Sequence, residues 1–329
     1  MNAQKELIRR LALKRKQKLD PLSDEAFAEL ELAVKDNPLN FVDDNEEEAF
    51  ALVAKGLARI KESVHDDDLL DDAQYAKERR RRLDALAATC RQALMIDENC
   101  LDAALLAELT ADVAQGELFD HLYELAEQAK GRLGALSTPA TGDAWTDVFV
   151  RPRLRLQAAL ARTCLCTARF KLAIDTCTSL LSHAPLDALG ARFTCALAMV
   201  RLEDEDGFNW LDAREGRHGN AWFHLSRVIL MYKLGRMPAA RRALRGFDQL
   251  CVGGAYLLLQ PVYVDTYLPD RPAFAPNSFE ETMLAIHEAD PIIADVPDFA
   301  MWASNQPGFL ASAQDYCARN GFEWRNWDE

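Results

Sequence analysis

The sequence predicts an all-α chain with helical hairpins at its centre, on three observations. First, residues 154–187 and 221–250 spell the same helix–turn–helix. Each has a small turn residue (Ala168, Gly235) two positions before a larger apolar one (Phe170, Met237), and Ala (Ala173, Ala240) three further on. Second, apolar residues elsewhere recur with helical spacing between capping residues and prolines. Third, no stretch sustains the period-two alternation of a half-buried strand.

The elements follow in order. Leu7, Ile8, Leu11 and Leu13 mark a basic amphipathic helix that ends near Asp20-Pro21. Ser23, followed by Asp24 and Glu25, caps a second helix through Val34. Asn37-Pro38 stops it, because the residue before Pro is pushed out of helical geometry. The carboxylates from Asp43 to Glu48 suit the positive end of a helix that runs to about Ser63. Asp66 to Asp72 opens a longer helix carrying Arg79-Arg80-Arg81-Arg82 and the apolar set Leu83, Leu86, Cys90 and Leu94. Gly116 separates helices of about 101–114 and 117–133, and the Gly/Ser/Thr/Pro-rich stretch 134–150 reads as a loop. The hairpin 154–187 closes at Pro185, and a third unit runs from Ala188 to about Leu211 with Gly207-Phe208 in its turn. Beyond 252, Gly253-Gly254, Pro261, Pro269, Pro272 and Pro276 break the pattern before a helix opened by Ser278, Glu280 and Glu281. A short helix and the aromatic tail Phe322, Trp324 and Trp327 end the chain. The expected organisation is a helical N-terminal region with degenerate repeats (1–134), a loop (135–151), a repeat block (152–250) and an irregular helical cap (251–329).

Leu160 and Ala161 stand where a tetratricopeptide repeat has its Leu-Gly pair, and Phe170, Ala173, Leu180 and Pro185 follow in that repeat's order. Ala93-Leu94 holds the Ala-Leu position of an earlier copy. On these residues the chain resembles the tetratricopeptide repeat over roughly 83–131 and 152–250, with Gln157 and Cys164 replacing an aromatic and a Tyr. The resemblance implies a solenoid, since such helix pairs bury their apolar faces only by stacking. It also implies a concave groove lined by the first helix of each pair. Its partner-facing positions would be Arg155, Arg162, Arg192, Phe193, Trp222, Ser226 and Tyr232. Arginine and aromatic side chains suit such a surface because they combine area with directed hydrogen bonds, although ordinary helix packing also uses them. The family's Lys/Asn clamp for a terminal carboxylate is absent. Residues 274–302 resemble the Pro-Gly-Ser-Glu-Glu-Ala helix and following Trp that close repeat proteins of the suppression-of-tumorigenicity type, with Asn277 for the Gly and Thr282 for the Ala. That family implies an interaction protein without catalysis.

The formal net charge of −14 disfavours bulk attraction to nucleic acid. It is unevenly spread: residues 1–18 carry +6 and the remainder −20. The basic N-terminal helix therefore has two readings, a contact with anionic membrane or RNA and a polar cap on the first repeat; capping is favoured. Arg79 to Arg82 has the same pair of readings, a phosphate patch or a salt-bridged helix face. Glu78 and Asp84 at helical spacing favour the second. His65 with Asp66-Asp67-Asp68, and the run Glu203 to Asp206, lack calcium-loop or zinc spacing and read as acidic helix starts. No C-x-x-C, H-E-x-x-H, G-x-S-x-G or P-loop is present. Cys177 and His183 share a hairpin, but a Cys on an apolar helix position is a small hydrophobe first.

Most of the eight cysteines sit at apolar positions, and with the lack of a signal-like or spanning apolar run this sets the expectation of a soluble cytoplasmic protein. The functional expectation is a non-catalytic adaptor or scaffold without cofactor or metal that holds a protein or peptide in its groove. Arginines on an acidic body point to an acidic partner. The runner-up is an RNA-associated repeat protein using the basic N-terminus and Arg79–Arg82. An enzyme whose site assembles only in space is the third.

Overall fold

The computed structural model describes residues 2–19, 21–64, 67, 70–134, 142–214, 216–217, 219–262, 264 and 267–325. Among the described residues there are sixteen α-helices and no strand, so the chain is all-α. None of these helices is long and apolar enough to cross a membrane. The chain forms two compact units. The first comprises Met1–Ala159, His183–Ala188 and Leu268–Asp270, and the second Leu160–Ser182, Leu189–Tyr267 and Arg271–Glu329.

The first unit contains α1 (Ala3–Lys18), α2 (Asp24–Asp36), α3 (Asn45–Ser63), α4 (Asp72–Ile96), α5 (Leu101–Thr110), α6 (Gln115–Leu133) and the start of α7 (Arg151–Cys166). The expected caps are made: Ser23 accepts from the Ala26 amide and Asp44 from the Glu47 amide. Asp71 and Gln74 form a reciprocal capping box at α4, satisfying amides that a helix start leaves unpaired. α1 packs on α2 and α3 and buries Leu7 and Leu11 beside Phe50 and Val53. Its basic residues face acidic ones: Arg9 pairs with Glu31, Lys14 with Asp44 and Glu46, and Arg15 and Lys18 with Asp43. The acidic start of α3 thus serves its own helix dipole and the cations of α1 together.

One boundary differs from expectation. Gly116 lies inside the first turn of α6, and the break falls at 111–114. The described part of the expected loop is held by Asp143. Its carboxylate accepts from the backbone amides of Trp145 (2.7 Å) and Leu186 (2.8 Å). Residues 135–141 of that loop, together with His65, Asp66, Asp68, His218 and Trp327, lie outside the described residues.

The second unit holds the end of α7, α8 (Phe170–His183), α9 (Ala191–Arg201), α10 (Glu205–Arg214), α11 (Ala221–Lys233), α12 (Met237–Leu250), α13 (Gly254–Leu259), α14 (Phe279–Ala294), α15 (Phe299–Ser304) and α16 (Phe309–Asn320). Three turns share one geometry. Ala168, Glu203 and Gly235 are left-handed (φ 57°, 60° and 69°). The next amide bonds five residues back in each case, Arg169 to Cys164 O, Asp204 to Met199 O and Arg236 to Met231 O. This is the Schellman closure, which favours Gly and tolerates a small residue, as the paired motif predicts. The middle turn is Leu202–Asp204, and Gly207 and Phe208 lie inside α10. The expected position was wrong because the αL residue there is Glu203, which has no small-residue signature. Ser278 caps α14 as expected, accepting from the Glu281 amide.

Candidate functional site

Six of the seven groove candidates belong to the second unit, where the chain's own C-terminal region packs on the first helices. α14 packs on both α9 and α11. Phe193 and Trp222 stack at 4.2 Å and 10° between ring planes, and both are buried. The Arg271 guanidinium lies 5.3 Å from the Phe193 ring and 5.7 Å from the Trp222 ring. Glu288 of α14 accepts from Trp222 Nε1 (2.7 Å), Arg271 Nε (2.9 Å) and the Tyr267 hydroxyl. Burial pushes the Glu288 carboxyl up, but Arg271 and these donors outweigh it and hold it below the usual range. Burial pushes the Tyr267 hydroxyl to about 12. Arg162 lies 4.9 Å from the Tyr267 ring, and Arg192 lies 4.5 Å from the Phe193 ring. Ser226 is fully buried, with no hydrogen-bond partner for its hydroxyl among the described residues. Tyr232 meets Phe299 edge-on at 5.4 Å and Trp302 at 4.8 Å.

Arg155, the seventh candidate, belongs to the first unit and is 1% exposed. Its Nε donates to Asp270 (2.9 Å), its Nη1 to Glu6 (3.0 Å) and Asp102 (3.1 Å), and its Nη2 to Glu6. Arg10 donates to Glu6 (2.6 Å) and Asp102 (2.9 Å), and Arg151 reaches Glu6 at 3.3 Å. Three cations therefore meet three carboxylates at a junction of α1, α5, α7 and residue 270. Burial pushes the Glu6 carboxyl up, and the surrounding arginines overcome this and bring it below its ordinary value. Such a cluster is strong while complete and costly when broken.

Three arginines of the α4 run are ion-paired. Arg80 bonds Asp84, Arg81 bonds Glu78 at 2.8 Å, and Arg82 forks onto Asp67. Two of these arginines also border an open cleft between α3 and α4. It holds about 170 Å³ and opens to solvent. Gly56, Ile60, Ala85 and Leu86 form its apolar floor, Ser63 and Thr89 add hydroxyls, and Arg59, Arg81 and Arg82 stand around it. The registers explain the shape: Gly56, Ile60 and Ser63 share one face of α3, while Ala85 and Thr89 lie one turn apart on α4. A Cβ on Gly56 would stand 2.9 Å from Leu86 Cδ1 and 3.3 Å from Thr89 Cγ2, so glycine lets the helices close there. Arg59 is exposed and bonded to no carboxylate among the described residues. Sequence reasoning missed this cleft. The available signal was Gly56 itself, a helix-weakening residue within a strong helical pattern.

Among the described residues, no three His, Cys, Asp or Glu side chains converge as a metal-binding set. Asp204, in the acidic run, accepts from the Gly207 amide at 2.9 Å as a cap, and Glu205 pairs with Arg236. Compared with known proteins, the chain matches no family model, no curated protein and no solved structure.

Proposed function

We propose that this chain is a non-catalytic adaptor that holds a segment of a partner protein, with the α3–α4 cleft as a receiving site. The observation that carries the reading is an apolar floor (Gly56, Ile60, Ala85, Leu86) bordered by guanidinia. A groove of this kind accepts the apolar face of a short helix, while arginines select acidic flanking residues. Arg81 and Arg82 already face Glu78 and Asp67, so Arg59 is the cation left for an acidic flank. The stacked-repeat reading belongs to the same proposal, supported by the shared left-handed turns at Ala168, Glu203 and Gly235. So does a reducing, cytoplasmic setting, supported by seven buried free thiols. The internal pairing of Arg80, Arg81 and Arg82 favours a protein partner over RNA.

The test is selection of a displayed peptide library on the full chain, with counter-screening on Ile60→Glu and Arg59→Glu. The expected result is a family of peptides with apolar anchors and acidic flanks. Their affinity should fall about tenfold or more with Ile60→Glu, the scale of burying a charge in an apolar contact. Binding undiminished in both variants, or no enrichment over background, overturns the proposal.

A further inference from the structure

Past α16 the chain leaves helical geometry, and residues 322–325 lie back on the second unit as a short strap. Gly321 is left-handed (φ 69°), and the Phe322 amide bonds Cys317 O at 3.0 Å to close the helix. The Phe322 ring then enters an aromatic socket made by three helices. Its centroid lies 5.3 Å from Tyr256 of α13, 6.0 Å from Phe279 of α14 and 6.3 Å from Tyr316 of α16. Phe279 and Tyr316 stack at 5.8 Å and 13° between ring planes. Gly253 permits this closeness, since a Cβ there would stand 2.8 Å from Phe279 Cδ2 and 3.1 Å from Tyr316 Cε1. Tyr256 is buried at the base of the socket, whereas Phe322 stays 41% exposed.

Gln260, just past α13, supplies an independent observation. Its side chain is buried, and its carboxamide meets the main chain of a single strap residue. Nε2 donates to Arg325 O (2.9 Å), and Oε1 accepts from the Arg325 amide (3.1 Å). A carboxamide used this way imitates the neighbouring strand with which an extended peptide pairs. It reads backbone, which every extended segment carries. A buried amide costs free energy when its donor and acceptor are unmet. Gln260 therefore calls for an extended segment beside it, and the strap is the one seated there.

We infer that residues 322–325 are an internal ligand holding closed a docking site for an extended segment of a partner protein, one with an aromatic residue three positions before the residue that pairs with Gln260. The seated strap states the chemistry of that segment: a ring for the socket and an extended main chain for the amide. The strap is built to leave. Its anchoring ring is half open to water, and it hangs from the end of α16, where a helix frays first. A second copy of this chain fits the socket less well. Tyr316 and Phe322 belong to the same helix end, so an exchange of straps would force two α16 helices to abut end to end.

The experiment measures fluorescence anisotropy of a labelled hexapeptide, Gly-Phe-Glu-Trp-Arg-Asn, the sequence of residues 321–326, on full-length chains. Two substitutions unseat the strap from opposite ends and leave the socket intact. Phe322→Ala removes its ring, and Arg325→Pro removes the amide hydrogen that Gln260 accepts. A strap seated about nine-tenths of the time lowers apparent affinity about tenfold. Each variant should therefore bind the hexapeptide about tenfold more tightly than the native chain, with circular dichroism unchanged. Two altered hexapeptides test the contacts without touching the fold, one with Ala for Phe and one methylated on the Arg backbone nitrogen. Each should bind both variants about tenfold more weakly than the parent peptide. The inference is overturned if neither variant binds more tightly than the native chain, or if the altered peptides bind as well as the parent. Dimerisation of the native chain that disappears in Phe322→Ala, read by sedimentation, also overturns it by giving the socket to a second copy.

Discussion

Replacing Arg155 by Met removes the centre of the buried ionic cluster while keeping much of the side chain's length. Glu6 and Asp102, with side chains 3% and 1% exposed, each lose a partner, and Asp270 loses its Nε bond. Removing one member of a buried pair costs about 3–5 kcal/mol, because the remaining charge stays desolvated. Arg10 still holds Glu6 and Asp102, and Arg151 still reaches Glu6, so the lower end applies, about 3 kcal/mol at pH 7. Arg155→Lys keeps the charge and loses the fork, and should cost about half as much. Glu6→Gln on the Met background should recover part of the loss, since it removes the orphaned charge.

The loss also depends on pH. In the folded native chain the Glu6 carboxyl lies below its ordinary value. Its contribution is therefore present above the unfolded carboxyl value of about 4.3 and is lost as pH falls through the folded value. Without Arg155 the desolvated carboxyl titrates higher and accepts a proton, so the deficit of the Met variant shrinks towards pH 4. Urea unfolding followed by circular dichroism gives the stability change, and hydrogen exchange of peptides covering α1 and α5 localises it. A change under about 1 kcal/mol, with exchange in α1 and α5 unaltered, would refute this account of the cluster.

Other perturbations probe different parts of the structure. Trp222→Phe removes the indole donor to buried Glu288 and should cost about 1–3 kcal/mol in urea unfolding; a neutral change means the donor is dispensable. His121, bonded to Glu108 at 2.8 Å, should titrate above its ordinary value by NMR and return towards it in Glu108→Gln. Its stabilising contribution is present below the unfolded histidine value of about 6.5 and is lost as pH rises through the folded one. Cys166 is the exposed thiol, so a thiol reagent on the native chain should modify it first, with the buried seven following on unfolding. Rapid native modification of Cys90 or Cys251, whose thiols burial pushes to about 12, would contradict the described packing.

The sequence made local structure readable where one residue type has one use. Ser23, Asp44 and Ser278 cap their helices because a short oxygen-bearing side chain before an apolar run meets free amides. Ala168 and Gly235 marked left-handed turns, whereas Glu203 takes the same geometry without a composition to announce it. Gly116 and Gly207 were misleading because a glycine inside a helix weakens it without ending it. The candidate groove shows the limit of local reasoning. Phe193 and Trp222 meet Arg271 and Glu288, which are distant in sequence, and periodicity in a first helix carries no record of what covers it. Arg155 is a groove candidate by its place in a first helix, and nothing near it in sequence reveals Glu6, Asp102 and Asp270. The α3–α4 cleft escaped for the complementary reason: it is made by small residues, Gly56 and Ala85, on two helices.

Site-specific photo-crosslinking tests the central claim most directly. A photoreactive phenylalanine analogue is placed at Thr89 in the cleft and, as a control, at Lys130 on α6. Library-selected peptides are then irradiated with each protein. The cleft account predicts adducts at position 89, lost when Ile60→Glu is added, and none at position 130. Equal adducts at both positions, or adducts at 89 that survive Ile60→Glu, would contradict it.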